Sequence, residues 1–151
     1  MTCTLIHRRL TTRSHLPAGL VLAVVALCAA GCARDPIEVR DARIRDLPPG
    51  RDTTAAYFVL HNHSGETVKI VGASSKRARA IEMHTTTRDG DRVAMRRLEA
   101  VEIPSGASAA FAPGGQHLMV FGVTQVTAPF PISIELEDGR RIEVSFSKLA
   151  L

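Results

Sequence analysis

From residue 37 onward the chain alternates apolar and polar positions with period two, in short runs broken by turn residues. Successive residues of a strand point to opposite faces, so this pattern predicts antiparallel sheet with one face buried. Strands are expected over 37–44 (IEVRDARI), 54–62 (TAAYFVLHN), 67–74 (TVKIVGAS) and 78–88 (ARAIEMHTTTR). Further strands are expected over 91–98 (DRVAMRRL), 101–103 (VEI) and 107–112 (ASAAFA), and within GGQHLMVFG at 114–122. Residues 130–147 read as a hairpin with Asp138-Gly139 at its tip. No helical periodicity follows residue 36, so the fold class is all-β, a sandwich or barrel of about nine short strands. Aromatic residues make up only 4% of the chain, which predicts a core resting on Val, Ile, Leu and Ala.

The N-terminus departs from this pattern. MTCTLIHRRLTTRSH carries Arg8, Arg9 and Arg13 without an acidic residue, and LPAGLVLAVVALCAA is an uncharged apolar run of 15 residues. A basic segment, an apolar run of this length and small residues before a break predict a secretory signal over 1–31. The run is short for a membrane-spanning helix, which needs roughly 20 residues. AAGC, ending at Cys32, resembles the lipobox of bacterial lipoproteins, although Ala29 stands where leucine is commonest. The resemblance implies that Cys32 is lipidated and becomes the N-terminus of an exported, membrane-anchored protein. Ordinary cleavage nearby, leaving Cys32 as a free thiol, is the alternative. Processing would leave one domain, 32–151, with Cys32 as its single cysteine and no internal disulfide.

Removal of the signal also changes the charge. The full chain has a formal net charge of +4, but residues 32–151 hold 16 Lys and Arg against 15 Asp and Glu. A near-neutral domain gives no electrostatic support to a nucleic-acid partner. Enzymatic chemistry finds no support either, because Ser and Thr are scattered without an organised His/Asp partner and no Gly-rich loop opens a helix.

What stands out is QHLM. His117 and Met119, two residues apart, share one face of their strand, with Leu118 and Val120 on the other. If Asp89-Gly90 form a two-residue turn, Arg88 faces Asp91 and His84 faces Met95 directly, with Cβ atoms about 4.5–5.5 Å apart. Two places in the chain would then each offer one imidazole beside one thioether. Thioethers are soft and imidazole is borderline, a combination that favours Cu(I) over Ca(II) or Mg(II). Zinc sites rarely use Met, and a blue-copper centre needs a Cys thiolate. In an oxidising compartment methionine also avoids the disulfide chemistry open to thiolates.

The spacing His84-x10-Met95-x21-His117-x-Met119 resembles the signature of the periplasmic copper chaperones called PCu(A)C. AAYFVLHN, IVGASS, IEMH, IPSG and PGGQHLM are similar to text of that family, and the resemblance covers nearly all of 36–148. It implies a cupredoxin-like Greek-key β-barrel holding one Cu(I) at these four residues. It also implies delivery of copper to the CuA centre of cytochrome c oxidase, often beside Sco-type proteins. By this reading the protein is a periplasmic, monomeric metallochaperone with a lipid anchor at Cys32. Copper storage or tolerance, and a metal-free β-sandwich lipoprotein serving as an interaction module, are the alternatives. Relatives often carry another methionine after the first histidine, where this chain has TTT (85–87). The C-terminal SFSKLAL lacks the His- and Met-rich tail of some members.

Neighbouring residues have plainer expected roles. Met83 alternates with His84 and is expected in the core, and His61 and His63 in a solvated turn. Phe121 shares the face of His117 and Met119, either as a shield for the metal edge or as an ordinary half-buried aromatic.

Overall fold

The computed structural model describes residues 36–90 and 92–149; the expected signal over 1–31 and Cys32 lie outside them. Among the described residues there are ten strands and no helix, against the nine or so expected. They are β1 (Ile37–Ile44), β2 (Thr53–Asn62), β3 (Val68–Ser74), β4 (Ala80–Asp89) and β5 (Arg92–Arg97). They continue with β6 (Val101–Ile103), β7 (Ser108–Phe111), β8 (Gln116–Phe121), β9 (Phe130–Leu136) and β10 (Arg141–Lys148).

Their order across the sheet is β5-β4-β8-β7-β2-β1-β10-β9-β3-β6, and an added pairing of β3 with β4 closes the run into a barrel. Strands β5 and β6 lie beyond the closure, as edges outside β4 and β3. Strand β2 is long enough to serve two partners on one edge: Thr53–Ala56 pair with β8, and Phe58–His61 pair with β7. Most ladders are antiparallel; β1–β10 and β7–β8 are parallel. Closure matters because a closed sheet has fewer unpaired edges to shield.

The core follows the alternation. Along β2 every second residue is buried, which puts Ala56, Phe58 and Leu60 inside and leaves Tyr57 and Val59 half-buried. One expectation changes here. Phe58, Phe111, Phe130 and Phe146 are all fully buried, so the few aromatics concentrate at the centre instead of yielding it to aliphatic residues. Phe58 stacks on Phe111 with centroids 4.4 Å apart and meets Phe146 edge-on at 6.1 Å. Burying each such ring contributes about 1.5–3 kcal/mol before packing terms.

Asn62 ends β2 as a buried polar anchor. Its amide donates to the carbonyls of Glu66 (2.7 Å) and Ile103 (2.9 Å), while its side-chain oxygen accepts from the Ser64 hydroxyl (2.6 Å). Full satisfaction makes its burial affordable and pins the turn into β3.

Candidate metal centre

The barrel brings β4 and β8 together although they are far apart in sequence. In their antiparallel ladder His84 lies opposite His117 and Glu82 opposite Met119, so these four residues share one face. The rings of His84 and His117 have centroids 6.1 Å apart, tilted by 37°. Residues of the opposite parity form the core beneath: Met83 is 3% exposed, Leu118 1% and Val120 0%. The expected core role of Met83 and the two faces of QHLM are therefore as the alternation indicated. The shared face is not fully wet. His117 is only 6% exposed and Met119 half-buried.

The β4–β5 hairpin differs from its expected register. Asp89 pairs with Arg92, so Thr86 faces Met95 and Arg97 faces His84. The direct His84–Met95 pairing is thus incorrect. Gly90 adopts φ 58° immediately after Asp89, at the head of the turn, whereas an Asp-Gly loop would use it second. Glycine takes a positive φ without a Cβ penalty, and hairpin turns accept it at either central position, so the dipeptide alone does not specify which. The ladder continues past β5, with the Leu98 amide donating to the Met83 carbonyl at 2.8 Å. Because the slip is two residues, parity survives and Met95 stays on the face of His84 as a diagonal neighbour. Such neighbours lie about 7–8 Å apart at the backbone, within reach of a long side chain. Met95 is 60% exposed, on a strand whose six residues are all exposed.

Each imidazole has one nitrogen committed. His117 Nδ1–H donates to the Gly115 carbonyl at 3.0 Å, which leaves the lone pair on Nε2. The same carbonyl accepts the Thr86 amide at 3.1 Å, so it is fixed by the β4–β8 ladder itself. This is what the glycine pair before QHLM supplies: Gly114, at φ 81°, turns the chain and Gly115 presents its oxygen to the ring. His84 is committed the other way. Its Nε2–H donates to Glu82 Oε2 at 2.9 Å, while Nδ1 is buried and has no hydrogen-bond partner among the described residues. Arg97 Nη1 donates to the other oxygen, Glu82 Oε1, at 3.3 Å. The hydrogen bond from His84, with the positive charge of Arg97, holds the Glu82 carboxyl below the usual glutamate range.

Glu82, Arg97 and the Gly115 carbonyl went unrecognised in the sequence. Glu82 had a usable signal, since it stands two residues before His84 and so shares its face. Arg97 had none, because its place opposite His84 follows from the hairpin register. Phe121 is half-buried opposite Ala80 and Thr53. His61 and His63 stack at 6.0 Å, His61 hydrogen-bonded with Ser108 (2.8 Å) and His63 with Glu38 (3.2 Å).

Among the described residues no group of three His, Cys, Asp or Glu is placed to hold a metal ion. The β4–β8 face of the two histidines also carries the thioether of Met119, with Met95 diagonal to His84 across the hairpin. A buried imidazole nitrogen without a partner, on a face that carries thioethers, offers donors that suit a soft or borderline cation.

Comparisons with known proteins agree with this architecture. The copper-bound PCuAC domain from PmoF2 superposes with a TM-score of 0.66 at 16% identity, over 79% of this chain and 97% of that one. The solution structure of CuI-DR1885 from Deinococcus radiodurans gives a TM-score of 0.62 at 28% identity, over 89% of this chain and 93% of the other. The barrel is thus the cupredoxin-like PCuAC fold. In sequence, the chain is 31% identical over 150 residues to "Putative lipoprotein Lxx21020" of Leifsonia xyli subsp. xyli (strain CTCB07), covering 96% of this chain and 84% of that protein. A family model described as "Putative lipoprotein LpqE-like" matches residues 37–147. The protein belongs to this LpqE-like family, on a barrel of the PCuAC type.

Proposed function

We propose that the protein is an exported metallochaperone that carries Cu(I) on His84, Met95, His117 and Met119. One observation carries the reading: His84 and His117 oppose each other across β4–β8, each with one nitrogen committed and one lone pair left, beside Met119 on the same face. The copper-bound PCuAC domain from PmoF2 and CuI-DR1885 support the choice of metal. Two imidazoles and two thioethers, without a thiolate, match Cu(I) in an oxidising compartment.

The four ligands are unequal, and that suits a carrier. His117 is buried and held by its ladder, and His84 is held by Glu82, so the two imidazoles are fixed points. Met95 stands exposed on edge strand β5, outside the barrel closure. An acceptor's ligands would reach the copper from that side and replace Met95 first, passing the ion through a shared-ligand intermediate. The CuA subunit of cytochrome c oxidase and Sco-type proteins are acceptors of the right chemistry. A lipid anchor at Cys32 would keep the donor at the membrane, in keeping with the lipoprotein relatives.

Competition titration with a chromophoric Cu(I) chelator tests the site. The exported protein should bind close to one Cu(I), and Met95→Leu or Met119→Leu should weaken binding at least about 10-fold, since even supporting residues of metal sites cost that much. Variants that bind as tightly as the parent would exclude these ligands. Oxidase assembly in cells lacking the protein, under copper limitation and under excess, separates delivery from storage.

A further inference from the structure

We infer that Glu82 is a positioning residue that commits His84 to offer its Nδ1 lone pair, so that the two histidines of the site present different nitrogens, Nδ1 from His84 and Nε2 from His117. The inference rests on the Cu(I) reading for the identity of the ligand, but the positioning of His84 is a property of the metal-free protein.

A neutral imidazole has one N–H and one lone pair, and the hydrogen bond at one nitrogen settles which is which. At His84 the Nε2 position faces the Glu82 carboxylate, which only accepts, so the proton belongs on Nε2. The remaining nitrogen, Nδ1, is the buried one without a partner. An unpaired buried acceptor is costly, and a site that tolerates it in the free protein is prepared for a ligand there. Were His84 to turn Nε2 toward a metal, the 2.9 Å contact with Glu82 would be lost.

Glu82 is itself well held. Its backbone is locked in β4 opposite Met119, and its second oxygen accepts from Arg97 at 3.3 Å. The carboxylate thus uses one oxygen on each neighbour. At His117 the same task falls to a backbone carbonyl, and the committed nitrogen is the other one. A carboxylate or carbonyl behind a ligating histidine fixes its ring and raises its basicity, and loss of such a partner typically costs about 10–100-fold in metal affinity.

An ion pair that merely stabilised the strand would predict different behaviour, which allows a test. Long-range 1H–15N correlation spectra of the full-length, metal-free protein in detergent, with labelled histidine, report each tautomer directly. His84 should carry its proton on Nε2 and His117 on Nδ1. In Glu82→Ala the His84 signal should shift toward a mixture while His117 is unchanged, and Cu(I) affinity should fall about 10–100-fold. Glu82→Gln retains an acceptor oxygen without the charge and should restore most of both, whereas a purely Coulombic role would treat it like Ala. A proton on His84 Nδ1 in the parent would overturn the inference, as would a Glu82→Ala protein with parental tautomer and affinity. The expected tautomers in a parent that takes up no Cu(I) would uphold the positioning and remove the copper reading instead.

Discussion

Leu118 and Met119 are adjacent in β8 and should fail in opposite ways. Leu118 is 1% exposed, and the ladders place it between Met83 of β4 and Ala56 of β2, both buried. Leu118→Ala removes three buried carbons and leaves a cavity that a closed barrel cannot easily collapse. Comparable truncations cost about 2–5 kcal/mol, or roughly 10–20 °C in Tm for a domain of this size. Met119 points the other way and is half-buried, so Met119→Leu conserves volume and should cost below about 1.5 kcal/mol. Its effect should fall on copper instead, because leucine offers no donor atom. The assay pairs urea unfolding, followed by far-ultraviolet circular dichroism, with Cu(I) competition titration on both variants. The expected result is a double dissociation: Leu118→Ala less stable with copper affinity close to the parent, Met119→Leu stable with affinity lost. If Met119→Leu is the strongly destabilised variant, or if Leu118→Ala alone loses copper, the two faces of β8 have been assigned wrongly.

Other consequences are as direct. Gly122 follows β8 at φ 68°, where a Cβ would lie 2.5 Å from the Arg79 Cβ; Gly122→Ala should destabilise by about 1–3 kcal/mol or more, read by urea unfolding. Glu38 is pushed down to about 2 by a hydrogen bond from Arg40, helped by His63, so its unfolded form binds protons at higher pH than its folded form. Its stabilising effect is therefore present above the ordinary glutamate range and is lost as pH falls toward about 2. Glu38→Gln should flatten that part of the stability–pH curve, by a small and salt-sensitive amount because the pair is exposed. Labelled fatty acid should enter the parent in cells and not Cys32→Ser; equal labelling would refute the anchor.

Strand positions and strand faces were legible in the sequence because they are local. Period-two alternation is enforced by the backbone, so Leu118 and Met83 were recognisable as core, and His117 and Met119 as one facing pair, without knowing any neighbour. Parity also holds the site together despite the shifted hairpin register: a shift of two residues makes Met95 a diagonal instead of a direct neighbour of His84 but leaves it on the same face. Which strands meet was a different matter. The pairing of β4 with β8 joins strands far apart in the chain, a long-range outcome that no local pattern encodes. That pairing, in its antiparallel register, sets His84 opposite His117. The hairpin register, decided by where Gly90 falls in its turn, puts Arg97 behind Glu82 and so completes the support for His84. Residue types and faces are properties of the chain and could be read from it. The convergence of the two histidines belongs to the folded barrel, because the ladder between the distant strands β4 and β8 determines it. The nitrogen each one offers is set nearer by, through a partner two residues earlier on the same segment, Glu82 for His84 and Gly115 for His117.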